Sequence, residues 1–416
     1  MTTSSSTLRL ALAGTGLGLI LSLAGMAPGA WAADPAKTDK SKEDTARPEI
    51  AKPLTEASDA IKAQNWTLAL AKIAEADAVK DKTPFEIYAI ETRHGIAANG
   101  AGDYLTAGKA FAAAVDTGKM NPNDQALFSG QAAHLFYQAK DYPDVTIWVQ
   151  RYIKVGGQDP EIKNLLTNAQ IQSGDFASVA RDVQATVASE EQAGQKPTRQ
   201  QLELLLGSYL KLKDDANAAA TLEKIVANYP TKEYWAQLIS HVARKPGFSD
   251  RLILDVNRLQ HATGALDSAQ AYQGMVELDL QEGISSEAKA IADEGVAKGF
   301  ISKPLQAKAT TAAANDRKNL DRDERDAAGM KDGNLQIGTG YTYIGFGEYQ
   351  KGIAALEQGI AKGGLKHPDE AKLQLGIAYF QAGQFPKAIE VFNTVSGAGG
   401  AGDLAHLWVL RAKQGA

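Results

Sequence analysis

Beyond residue 54 the apolar positions recur three and four residues apart, the period of a helix with one buried face. The runs are short, interrupted at Gly, Asn, Asp and Pro, and none alternates as a half-buried strand does. The interruptions are themselves periodic. Short turns ending in an aromatic residue recur at Trp66, Tyr104, Tyr142, Phe176, Tyr349 and Phe385, spaced 38, 38 and 34 apart over the first four and 36 apart over the last two. Nine residues before each anchor stands a small residue in five cases and a threonine in one: Ala57, Gly95, Ala133, Thr167, Gly340 and Gly376. Seven residues after each stands an apolar one: Ile73, Phe111, Val149, Val183, Leu356 and Phe392. A proline falls eighteen residues after the first three anchors, at Pro84, Pro122 and Pro160.

The pattern predicts a repeated unit of helix, tight turn, helix and proline-marked connection. A small residue on the first helix lets the second approach, the aromatic at the turn fills the wedge between them, and the later apolar residue seals the pair. Neither helix can bury its face alone, so neighbouring units must stack.

Leu375-Gly376-x-x-Tyr379, Gly383-x-Phe385-x-x-Ala388 and Phe392 resemble the tetratricopeptide repeat. The preceding unit, with Gly340, Tyr343, Gly347, Tyr349 and Leu356, is similar but has Gly352 where the family usually has alanine. More distant units cover roughly residues 50–195. Residues 197–232 keep the frame through Tyr209, Leu222, Ile225 and Pro230 without an aromatic turn, and units turning near Phe248 and Ile284 are weaker. The resemblance implies an all-α, right-handed solenoid of antiparallel helix pairs with a C-terminal capping helix, the last supplied by Leu404, Leu407 and Trp408 on one face. The expected organisation is a signal peptide at 1–32, a disordered linker at 33–53, a helical array at 54–300, a charged long or irregular helix at 301–332, and a repeat pair with its cap at 333–416.

The expected export signal is a polar start with Arg9, an uncharged run from Leu10 to Ala27, and Ala30-Trp31-Ala32 as a small-x-small cleavage pattern. The competing reading of the same run is an uncleaved membrane anchor. Residues 34–53 carry five acids, five bases and three prolines with almost nothing apolar, which predicts a flexible leader. Removing residues 1–32 takes the balance from 44 bases and 49 acids to 43 and 49, a net charge of −6. A mildly acidic chain without a basic block is a poor match for nucleic acid or anionic lipid. There is no cysteine, so disulfides, thiolate metal sites and cysteine nucleophiles are excluded.

Candidate chemistry is thin. The six histidines, at 94, 134, 241, 261, 367 and 406, form no metal-ligand spacing, so no cofactor or metal is expected. Asp321 and Asp323 offer a calcium-like pair, but the loop glycine and distal glutamate are missing. Arg317–Asp321, Asp321–Arg325 and Arg322–Asp326, each four apart, predict a salt-laced helix instead. The resemblance implies that the first helix of each pair lines a peptide-binding groove, which places His134, Tyr137, Tyr341, Ile344, Ile377 and Phe380 there, with packing against an adjacent helix as the other reading of each. The expectation is a non-enzymatic bacterial periplasmic adaptor or scaffold for a protein or peptide of the cell envelope. The alternatives are a structural subunit of an envelope secretion or polysaccharide-export machine, and a glycan-active enzyme built on a helical superhelix.

Overall fold

The computed structural model describes residues 45–397 and 399–415, and every regular element among them is helical. The signal-peptide reading of 1–32 lies outside the described residues. The chain divides into two compact units, one ending at Val179 and the other beginning at Ala180. That boundary differs from the expected ones at 300 and 332.

The first unit holds α1 (Pro48–Lys62), α2 (Trp66–Asp77), α3 (Pro84–Gly100), α4 (Tyr104–Asp116), α5 (Pro122–Gln138), α6 (Tyr142–Lys154) and α7 (Pro160–Ser173), and α8 (Phe176–Gln192) carries the chain past the boundary. The second holds α9 (Arg199–Leu212), α10 (Asp215–Asn228), α11 (Lys232–Ala243), a 3₁₀ turn at Asp250–Leu252, α12 (Ile253–Ala262), α13 (Ala269–Gln281), α14 (Ser285–Ala297), α15 (Lys303–Gly329), α16 (Asn334–Gly345), α17 (Tyr349–Lys362), α18 (Pro368–Gln381), α19 (Phe385–Phe392) and α20 (Ala401–Lys413). Within each unit, helices pack mainly on their neighbours in chain order.

All six aromatic anchors are the first residue of a second helix, and Pro84, Pro122 and Pro160 each open a first helix, where a missing N–H costs nothing. Two residues before the second helix the backbone turns left-handed, at Gln64, Gly102, Lys140, Gly174, Lys213, Gly283, Gly347 and Gly383. Lys213 and Gly283 show that the weak middle of the sequence keeps the same turn. The α11–α12 connection departs from it, with a longer path through residues 244–252.

The small residue nine before the anchor meets the apolar residue seven after it. A Cβ on Gly95 or Gly376 would lie 2.4 Å from the ring of Phe111 or Phe392, and one on Gly340 would lie 2.8 Å from Leu356. This contact, not the anchor aromatic, fills the wedge. Tyr104 and Tyr349 remain exposed, and Trp66 packs across to Gly100 at the end of α3. The departure at Gly352 has a local cause, since Ile344 occupies the space that an alanine methyl would need.

The last residues of the stretch expected to be a flexible leader are helical, because α1 begins at Pro48 and fully buries Ile50. Composition missed a long-range tie. Arg47 donates from its backbone N and Nε to Glu86 Oε1, each at 2.9 Å, and from Nη2 to Oε2 at 3.0 Å, while Nη2 also reaches the carbonyls of Lys80 and Asp81.

The charged stretch expected at 301–332 is one 27-residue helix, α15, which buries only Ala309, Ala313, Leu320 and Ala327 and packs against α14 and α16. Its charges do not form the anticipated ladder. Arg317 pairs with Glu348 of the next helix pair, Arg322 with its neighbour Asp323, and Glu324 accepts a hydrogen bond from the Tyr343 hydroxyl at 2.9 Å.

The second unit closes on itself. α20 covers α18 and α19 as a cap does, and it also packs against α11 and α12. Arg411 Nε donates to the Ala262 carbonyl and Gln414 Nε2 to the Val226 carbonyl, both at 2.9 Å and across 149 and 188 residues of sequence. Lys245 pairs with Asp403, Arg251 with Glu370, and the Ser249 N–H donates to the Gly399 carbonyl. One apolar core accordingly joins residues of α9–α12 to those of α16–α20.

Candidate functional site

The groove residues expected from the sequence fall in both units, His134 and Tyr137 in the first and Tyr341, Ile344, Ile377 and Phe380 in the second. His134 is exposed on α5, with Nε2 2.9 Å from the Gln138 amide, and desolvation by its surroundings lowers its pKa. Tyr137 is half-buried edge-on to Tyr142, ring centres 6.0 Å apart. The other four belong to the second unit and are covered. Ile377 is fully buried, Ile344 is buried against Gly352, and Phe380 lies between Phe385 and Trp408. Tyr341 is buried beneath the Arg258 guanidinium, 4.4 Å from its ring centre. Closure by α20 and the packing of α14 against α16 remove the open inner face that the resemblance implied.

What occupies that interior is a charged cluster. On α12, Asp255 and Arg258 lie one turn apart and both are buried. Arg258 Nη1 donates to Asp255 at 2.7 Å, and Nε and Nη2 donate to Glu287 of α14 at 3.0 and 2.5 Å. Asp279 of α13 is wholly buried beside them with its carboxyl against that of Glu287, and the Tyr341 hydroxyl of α16 is buried without a hydrogen-bond partner. Burial, reinforced by the Glu287 and Asp255 charges, pushes the Asp279 carboxyl up to about 9, so it is protonated at neutral pH. Burial also raises Asp255 against the pull of Arg258. Arg258 itself is held above its ordinary range because its acidic neighbours outweigh its own desolvation. Three carboxyl groups around one guanidinium are tolerable only because one of them keeps its proton.

A second polar layer lies farther along the same three helices. Tyr272 precedes Asp279, and Glu294 follows Glu287, by seven residues, two turns along one helix face. His261 Nε2 lies 2.7 Å from Glu294 Oε2, the Tyr272 hydroxyl donates to Glu294 Oε1 at 2.7 Å, and Lys298 Nζ contacts both the Tyr272 hydroxyl and Glu294. These residues, with Lys232, Asp267 and Phe300, line an open pocket of about 310 Å³. Burial works against the Glu294 charge, but hydrogen bonds from Lys298, Tyr272 and His261 win and hold it at about 2, while Glu294 pushes Lys298 up to about 12. So firmly protonated a lysine is neither base nor nucleophile near neutrality. Among the described residues no group of His, Asp and Glu is placed to hold a metal ion, and no helix is long and apolar enough to cross a membrane.

The sequence offered one signal for the buried cluster. Asp255 and Arg258 stand one turn apart within the apolar run Leu254, Val256 and Leu259, a charged pair where the helix needs an apolar face. Nothing local reveals that Asp279, Glu287 and Tyr341 converge on it.

Stacked helix pairs of this kind define a class, the helical-repeat proteins. Within that class, residues 204–232 and 370–396 match the family model of the tetratricopeptide repeat, so the chain carries tetratricopeptide-like repeats, and these support a protein-interaction scaffold. The first match falls on α9 and α10, the pair without an aromatic turn. No curated protein matches the chain. Two similar solved structures are Naa15/Naa10 bound to HypK-THB, at 13% identity over 85% of this chain and 69% of that one with a TM-score of 0.24, and the APC/C hetero-tetramer Cut9-Hcn1, at 12% over 87% and 83% with a TM-score of 0.21.

Proposed function

We propose that the protein is a non-enzymatic adaptor of the bacterial periplasm, presenting helical-repeat surfaces to another protein or peptide of the cell envelope. The observation that carries the reading is the repeat itself, matched to the tetratricopeptide family at two places. The periplasmic part is supported by the sequence of the uncharged run from Leu10 to Ala27 and the Ala30-Trp31-Ala32 pattern. A binding role also agrees with the polar networks of the second unit, in which Lys298 pairs with Glu294 and Arg258 with Asp255 and Glu287.

Crosslinking mass spectrometry on intact cells tests it. The expected result is crosslinks from lysines of the helix pairs to envelope proteins, together with a mature N-terminus at Ala33. Hydrolysis of peptidoglycan or polysaccharide by the purified protein, lost on replacing one carboxylate, would overturn it. Recovery in a stable stoichiometric complex from solubilised envelopes would assign the protein to an envelope machine instead.

A further inference from the structure

In the open pocket beside Glu294 the acceptors are occupied and the donors are not. Glu294 receives the Tyr272 hydroxyl and Lys298 on Oε1 and faces His261 on Oε2, while the Tyr272 oxygen receives Lys298 in turn. Lys298 Nζ thus has two partners for its three N–H groups, and Lys232 Nζ, bonded to Asp267 Oδ2 at 2.9 Å, keeps two. Asp267 raises the pKa of Lys232 and Glu294 that of Lys298, so both stay charged at neutral pH. Both side chains are about half exposed, and their remaining N–H groups are open to a molecule entering from solvent.

The rest of the lining is apolar and largely aromatic. Leu266 and Tyr272 are buried and form the floor. Phe300 leans on Tyr272 with ring centres 5.4 Å apart, and the His261 ring meets Tyr272 edge-on at 6.2 Å. A volume of about 310 Å³ lies at the small end of the range for ligand sites, which suits a molecule of about one ring. Charge narrows the choice further. Asp267 and Glu294 offset the two lysines, so a dianion such as phosphate meets repulsion, and a cation meets N–H groups where it needs acceptors.

We propose that this pocket binds a small free carboxylate, with its ring against Phe300 and Tyr272 and its anionic oxygens accepting hydrogen bonds from Lys232 and Lys298. The site is additional to the scaffold reading and does not depend on it, since every residue that forms it belongs to α11–α14 and their connections.

The probe is para-fluorobenzoate, followed by fluorine NMR on the full chain, with para-fluorobenzylamine testing charge and trifluoroacetate testing the ring. Saturable binding of para-fluorobenzoate is expected, about tenfold or more tighter than that of either other compound. Lys232→Met keeps the stem and removes the donors, and is expected to weaken binding roughly fivefold or more. Asp267→Asn removes the carboxylate that competes for Lys232, and is expected to strengthen binding roughly twofold or more. Lys232 and Asp267 are about half exposed, so both variants are expected to keep the thermal midpoint of the second unit. Absent binding of para-fluorobenzoate, equal binding of the amine or of trifluoroacetate, or an affinity unchanged by Lys232→Met would each overturn the proposal. A loss of affinity in Asp267→Asn would also overturn it, because the carboxylate would then be part of the site and not a competitor.

Discussion

Glu86 is fully buried and still ionised, because the hydrogen bonds and charge of Arg47, with the Thr83 N–H, outweigh burial and hold its carboxyl at about 2. A carboxyl whose folded pKa is depressed contributes stability above its unfolded value and loses it as pH falls. The first unit is therefore expected to weaken between about pH 4.5 and 2, and Arg47→Ala to lower its thermal midpoint at pH 7 by roughly 5 °C or more, read by circular dichroism. Asp279 has the opposite sign. Its folded pKa is raised from 3.8 to about 9, so the folded state keeps a proton that the unfolded chain releases, and stability falls as pH rises through that window. Asp279→Asn removes the liability. It is expected to leave the midpoint of the second unit nearly unchanged at pH 4 and to raise it by several degrees at pH 8, and equal midpoints at pH 8 would show that Asp279 is not held protonated.

Helix pairing follows one rule written within a few turns of sequence, and for that reason it was legible. Gly95 and Phe111, or Gly376 and Phe392, stand sixteen residues apart and touch across a single turn, so their pairing repeats with the unit. Gly376→Ala puts a methyl 2.4 Å from a buried ring with no room to retreat, and is expected to cost about 1–3 kcal/mol in chemical denaturation. Phe392→Leu in the same chain should recover part of that loss. The anchor aromatics do not fill the wedge expected of them because a residue at the start of a helix caps the end of the pair and does not reach its middle. The start of α1 was hidden because Arg47 and Glu86 are 39 residues apart. The covering of Tyr341, Ile344, Ile377 and Phe380 has a related reason. Periodicity tells which face of α16 or α18 is apolar, and both a groove and a closed interior demand an apolar face.

The molecule consists of two units with separate vulnerabilities, the first through a buried acid that needs its arginine and the second through a buried acid that needs its proton. Scanning calorimetry is expected to resolve two transitions, with Arg47→Ala moving only one and Asp279→Asn only the other. If both substitutions shifted one common transition, the division at Val179 would have no thermodynamic meaning. The closure of the second unit carries a consequence for synthesis. Val226 and Ala262 wait for partners 188 and 149 residues downstream, which at about 5–20 residues per second amounts to roughly 10–40 s on the ribosome. Through that interval the apolar surfaces of α11 and α12 are made but unclosed, a burden carried by the nascent chain and by whatever chaperone meets it.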